Sequence, residues 1–185
     1  MAQLTDSPRL AARCIAEGGI IAYPTEAVFG LGCLPAHEHS IARLRNIKQR
    51  PDDQGLILVA DHIKRLQPYL HPLTPRQQSL IQTRRQRATT WLVPASRNCP
   101  YSLRGQHDRL AIRLIDHPLV IELCRLTQSA LISTSANRRG QPPARSASQV
   151  MSALGSDIDC VLAGPTGSAR VVSEIRDIDT GTTYR

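Results

Sequence analysis

Short runs of apolar residues alternate along the chain with segments whose apolar positions recur every three or four residues. Ile20, Ile21, Ala22 and Tyr23 form the first clear run, which ends at Pro24. Further runs at 56–60, 90–93, 110–114, 130–133, 160–163 and 171–178 predict strands of the buried type. Between them Ile41, Leu44 and Ile47 keep helical spacing, and helices are predicted near 63–70, 74–83, 118–126 and 146–154. Asp6-Ser7-Pro8 supplies a cap with proline in the first turn, and Gly18-Gly19 stops the helix begun there. Residues 24–32 read as a glycine-containing loop behind the first strand. Strands alternating with amphipathic helices imply an α/β domain whose helices pack on a mostly buried sheet.

Composition adds limits. A chain of 185 residues suits one domain, 1–185, with a real core. No apolar stretch approaches the ~20 residues of a membrane-spanning helix, and the first residues lack a secretory pattern. Cys14, Cys33, Cys99, Cys124 and Cys160 are odd in number and scattered, so reduced thiols and a cytoplasmic location are expected. Lys+Arg 23 against Asp+Glu 15 leaves a net charge of +8. Between Arg76 and Arg113 stand eight arginines and one acid, Asp108, so this segment carries nearly the whole surplus. Such a field attracts nucleotides or RNA. The few aromatics (one Trp, four Tyr, one Phe) rule out a base-stacking platform and leave RNA contact to shape and phosphate.

Polar residues just past strand ends line the sites of α/β folds, and three segments qualify. The first is Pro24-Thr25-Glu26-Ala27-Val28-Phe29-Gly30-Leu31-Gly32, where Thr25 and Glu26 offer a hydroxyl and a carboxylate. Its glycines let the backbone approach a ligand. The second is Lys48-Gln49-Arg50-Pro51 at a helix end. Pro51 drives Arg50 toward an extended conformation, in which Lys48 and Arg50 face the same way. A point charge beside a bidentate fork suits a triphosphate, although two basic residues also favour a helix C-terminus. The third is Ser133-Thr134-Ser135-Ala136-Asn137, whose alternate residues share a face if the chain stays extended. Small hydrogen-bonding side chains there suit a nucleotide or an amino acid, and a turn network is the alternative.

The chain has no P-loop, no dinucleotide fingerprint and no nucleophile elbow. His37 and His39 lack companions at metal-ligand spacing, so no metal site is predicted.

Taken in order, Pro-Thr-Glu-Ala-Val-Phe-Gly-Leu-Gly, Lys-Gln-Arg-Pro, Leu-Ala-Ile-Arg-Leu-Ile-Asp-His-Pro, Ser-Thr-Ser-Ala-Asn and Ser173-Glu174-Ile175-Arg176-Asp177 resemble the YrdC/TsaC family in its short bacterial form, from about Ile20 onward. The resemblance implies an α/β fold, an open twisted mixed sheet with flanking helices around a basic concave cleft. It implies a nucleotidyltransferase that joins ATP, L-threonine and bicarbonate into threonylcarbamoyl-AMP and pyrophosphate. Magnesium would accompany the triphosphate. A downstream transferase complex would carry the threonylcarbamoyl group to tRNA. By the same resemblance Lys48 and Arg50 are catalytic and, with Thr90, Ser135, Asn137 and Arg185, bind nucleotide. Thr25, Ser133 and Ser173 would hold threonine and carbamate. Ala27 stands where many members have threonine, Arg85-Gln86-Arg87-Ala88 replaces a Trp-Pro-Gly-Pro turn, and Arg138-Arg139 come after Asn137. The basic segment also supports a competing reading, a module for double-stranded RNA, tRNA or pre-ribosomes with a vestigial nucleotide site.

Overall fold

A computed structural model describes residues 1–169 and 171–184. Ser7 caps the first helix by accepting from the Leu10 N–H, and Pro8 occupies its first turn, as the sequence requires. In chain order the elements are β1 (Gln3–Thr5), α1 (Pro8–Ala16), β2 (Ile21–Pro24), β3 (Phe29–Gly32), α2 (Glu38–Lys48) and β4 (Ile57–Ala60). Next come α3 (Pro75–Gln82), β5 (Thr89–Pro94), α4 (Tyr101–Arg104), β6 (Arg109–Leu114) and α5 (Pro118–Thr127). The chain continues through β7 (Leu131–Ser135), α6 (Ala147–Leu154), β8 (Cys160–Leu162) and β9 (Glu174–Asp177).

Among the described residues the strands make one mixed sheet in the order β1-β8-β2-β3-β7-β4-β6-β5-β9. Its central ladders β2–β3, β3–β7 and β4–β7 are antiparallel, and β4–β6 is parallel. Neighbouring strand residues enter opposite cores. Ile20, Leu58 and Ile132 join one, with Ile41 and Leu44 of α2 and Val150 and Leu154 of α6. Ile21, Val59 and Leu131 join the other, with Ile15 of α1 and Leu123 of α5. A sheet covered on both faces explains why the strands read as continuous apolar runs. Each fully buried Ile or Leu contributes about 1.5–3 kcal/mol.

Three sequence expectations change. The helix expected at 63–70 is two single turns, Ile63–Arg65 and Gln67–Tyr69, because Pro68 cannot donate to a continuing helix. Residues 24–32 are not all loop, since β3 forms a hairpin with β2 and lies against β7. Its glycines serve close strand approach: a Cβ on Gly32 would overlap the Ile132 carbonyl. The last strand is shorter than 171–178, spanning Glu174–Asp177 beside β5. The short β1 and α4 were not predicted.

Candidate active site

Lys48 is the last residue of α2, and the chain then reverses instead of running on in the extended stretch expected. Gln49 adopts the left-handed region at φ 47° and ψ 45°. The Arg50 N–H then returns to the Arg45 carbonyl at 2.9 Å, and the Gln49 N–H to that of Asn46 at 3.0 Å. This is the closing pattern of a helix end that turns sharply away. Arg45 fixes the turn from beneath. Its side chain is 4% exposed and donates to the carbonyls of Pro51 at 2.6 Å, Gln54 at 2.9 Å and Ser102 at 2.8 Å. Arg45→Met keeps the bulk but leaves those three carbonyls without their donor. The expected loss is about 2–3 kcal/mol in urea unfolding, accompanied by weaker nucleotide binding.

The reversal brings Lys48 against the end of β7. Its Nζ donates to the Ser135 carbonyl at 2.7 Å, the Asn137 carbonyl at 2.5 Å and Asn137 Oδ1 at 2.8 Å. Ser135 Oγ donates to the same Oδ1 at 2.6 Å, while Asn137 Nδ2 donates to the carbonyls of Arg138 and Gln141. β7 ends at Ser135, and the Asn137 N–H turns back onto the Ser135 carbonyl at 3.0 Å. Asn137 is therefore placed by a bend and not by strand alternation. The turn network expected as the alternative for this segment is present, and it is what orients the polar groups.

A cavity of about 540 Å³ opens over these strand ends. Thr25, Lys48, Arg50, Thr90, Ser133, Ser135, Asn137 and Ser173 all line it, so every described residue to which the resemblance gives a role reaches one hollow, whereas Glu26 does not. Arg185 lies outside the described residues. Arg113 and Arg139 line the cavity too, and no described aspartate or glutamate does. Arg113 stands in the sequence as part of the basic segment and of the Leu-Ala-Ile-Arg-Leu-Ile-Asp-His-Pro motif without an assigned role, and its place in an alternating Arg-Leu-Ala-Ile-Arg strand was the available signal. Arg139 donates to the Gln49 carbonyl at 3.3 Å, which ties the loop after Asn137 to the α2 turn. Ala27 also faces the hollow, where it offers no hydroxyl.

The electrostatics of the hollow favour an anion. Burial, helped by the Arg50 charge, pushes the Lys48 ammonium down to about 8. Burial and then Arg45 lower Arg50. Arg50 donates through Nη2 to the Gly55 carbonyl, but its Nε is buried without a partner, and so is the Nε of Arg113. Two enclosed guanidinium N–H groups without acceptors are costly, about 1–3 kcal/mol each, unless a ligand supplies oxygens. The other end of the hollow is hydroxyl-rich. Thr25 Oγ1 donates to the Val28 carbonyl at 2.7 Å, and Thr90 Oγ1 lies 2.9 Å from Ser173 Oγ. The register that pairs Trp91 with Ile112 sets Thr90 beside Arg113. No described cysteine lines the hollow, and burial pushes the Cys33 and Cys124 thiols up to about 12.

Fold and site together define a mixed-sheet α/β protein with one hollow that is cationic at one end and hydroxyl-rich at the other. The family model described as telomere recombination (Sua5/YciO/YrdC) matches residues 13–185, and the chain belongs to that family. It is 48% identical over 177 residues to a threonylcarbamoyl-AMP synthase of Nitrosococcus oceani, covering 96% of each chain. It is 40% identical to the enzyme of that name from Coxiella burnetii, covering all of both. Among solved structures, P. abyssi Sua5 complexed with L-threonine superposes with a TM-score of 0.85 at 27% identity, over 96% of this chain and 54% of that one. The chain thus spans about half of that longer protein. E. coli YciO, at 21% identity, shares the fold with a TM-score of 0.82, over 100% of this chain and 95% of that one.

Proposed function

We propose that this chain is an enzyme that uses ATP to make threonylcarbamoyl-AMP. The observation that carries the reading is the single hollow in which Lys48, Arg50, Ser135 and Asn137 meet Thr25, Thr90, Ser133 and Ser173. The reaction is a nucleotidyl transfer. The threonine amine condenses with bicarbonate to a carbamate, forming the N–C bond as a C–O bond breaks and water leaves, and a carbamate oxygen then attacks the α-phosphorus while pyrophosphate leaves. Negative charge grows on phosphoryl oxygens and on the leaving group, so fixed cations contribute most. Lys48 and Arg50 fill that role, and an approaching triphosphate restores the Lys48 ammonium that burial disfavours. Thr90, Ser135, Asn137 and Arg185 are assigned to the nucleotide, and Thr25, Ser133 and Ser173 to threonine and carbamate. Arg113, beside Thr90, is added as the cation for the amino acid's carboxylate. Holding three reactants in line supplies much of the rate.

Magnesium is proposed as a companion of the triphosphate. Among the described residues no cluster of three His, Cys, Asp or Glu side chains could hold a metal, and the hollow has no carboxylate lining. The continuous sheet supports one YrdC-like domain over 1–185. No described helix is long and apolar enough to cross a membrane; the cytoplasmic location is proposed from the tRNA-modifying reaction alone. A separate transferase complex would consume the product on tRNA, and direct tRNA contact would use the exposed arginines. The RNA-module alternative is not favoured. Of the eight arginines between Arg76 and Arg113 only Arg113 lines the hollow, while Arg109 is engaged by Asp177 and Asp179 and Arg84 by Asp116.

The test is pyrophosphate release with each substrate omitted in turn. Release should require ATP, threonine and bicarbonate together. Release that persists without threonine would overturn the reading.

A further inference from the structure

Glu26 belongs to the motif that ends β2, yet it does not line the hollow that takes in its neighbour Thr25. It lines a second, larger concavity that shares no lining residue with the first. From there Glu26 Oε2 accepts from Arg113 Nη2 at 3.2 Å, with the two side chains 20% and 13% exposed. Glu26 Oε1 accepts from the Asp116 N–H at 2.9 Å, just beyond the end of β6. The backbone takes part as well. The Thr25 carbonyl accepts from the Gly167 N–H at 2.9 Å, and the Glu26 carbonyl from the Ala169 N–H at 3.0 Å. One carboxylate therefore joins the β2 end, the β6 end and the cation that faces the hollow.

The division of labour is physical. A guanidinium has five donors in a fixed fork, so capturing one edge sets the direction of the rest. Glu26 holds Arg113 by Nη2 from behind, and the buried Nε is left without a partner. With no carboxylate on the hollow side, Arg113 is not neutralised where a ligand would meet it. We propose that Glu26 is a positioning residue: it orients Arg113 toward the carboxylate of the amino-acid substrate and never touches that substrate. This rests on the functional reading above and adds to it the residue that tunes the amino-acid end.

Glu26→Gln is the informative variant, because its amide oxygen can still accept from the Asp116 N–H while the ion pair is lost. Expected is a rise in KM for threonine of about tenfold, the scale of one lost charge-assisted contact, with KM for ATP moving less than about twofold. A double-mutant cycle with Arg113→Ala separates positioning from general damage. If Glu26 acts through Arg113, adding Glu26→Gln to Arg113→Ala changes KM for threonine no further. Effects that multiply, or equal rises in both KM values, would overturn the proposal. A readout free of turnover is the proton exchange of Arg113 Nε–H by NMR, which should quicken in Glu26→Gln. Unchanged exchange would also overturn it. Failure of the functional reading appears elsewhere, in wild-type protein that releases pyrophosphate without threonine.

Discussion

Lys48→Ala lowers kcat/KM for pyrophosphate release by at least about a hundred- to a thousandfold, the cost of removing one preorganised charge donor from a transition state. The loss exceeds that of a bare cation, because Lys48 Nζ also binds both carbonyls and the amide oxygen that shape the Ser135–Asn137 bend. Folding should survive. The ammonium is held below its ordinary range mainly by burial, so deleting it also removes a desolvation cost. Ser135 Oγ continues to hold Asn137 Oδ1. A thermal melt close to wild type beside collapsed turnover is the expected pair of results. Turnover within tenfold of wild type would remove Lys48 from the mechanism.

The same residue sets a pH dependence. The free protein's Lys48 titrates near 8, below the ordinary lysine value of 10.5, and a bound polyanion favours the charged form. ATP affinity therefore falls as pH rises through about 8, visible as weakening in calorimetry between pH 7 and 9. Stability has the opposite sign. Between pH 8 and 10.5 the unfolded chain keeps a proton that the folded one has released, so this group's contribution to stability rises with pH across that window. Its unfavourable share is complete below pH 8.

Gly32→Ala is expected to cost more than about 4 kcal/mol, the range reserved for a clash that nothing can relieve. The added Cβ would overlap the Ile132 carbonyl oxygen and stand 2.9 Å from the Tyr23 hydroxyl, which itself donates to that carbonyl. A backbone oxygen cannot rotate away as a side chain can, so β3 and β7 must part. For a chain of this size a melting-temperature drop of roughly 10 °C or more is expected. The site suffers too, since Gly30 pairs with Ser135 on the same ladder. A folded Gly32→Ala protein with wild-type melting would refute the close approach.

Arg109–Leu114 showed itself through buried Leu110 and Ile112 alternating with half-buried neighbours, whereas Ile57–Ala60 was legible as an uninterrupted apolar run because burial on both faces leaves no alternation to obscure it. β3 was not, because Phe-Gly-Leu-Gly has the composition of a loop, and only contact with Ile132 gives its glycines a strand's purpose. The Lys48/Arg50 and Ser135/Asn137 clusters were legible as residues but not as geometry. Gln49 in a left-handed turn brings the cations round, which no preference of glutamine would announce. Arg113 was hidden for another reason: a sequence shows charge along a line, whereas its value depends on β5 and Glu26 flanking it in space.

The bond from Lys48 to the end of β7 has a mechanical consequence. Helix and strand are riveted at the point where substrate would sit, so the cationic row and the sheet floor behave as one anvil. Lining residues that lie outside the named helices and strands, Gly140 and Val172 among them, are where amide exchange is expected to differ most between bound and free protein.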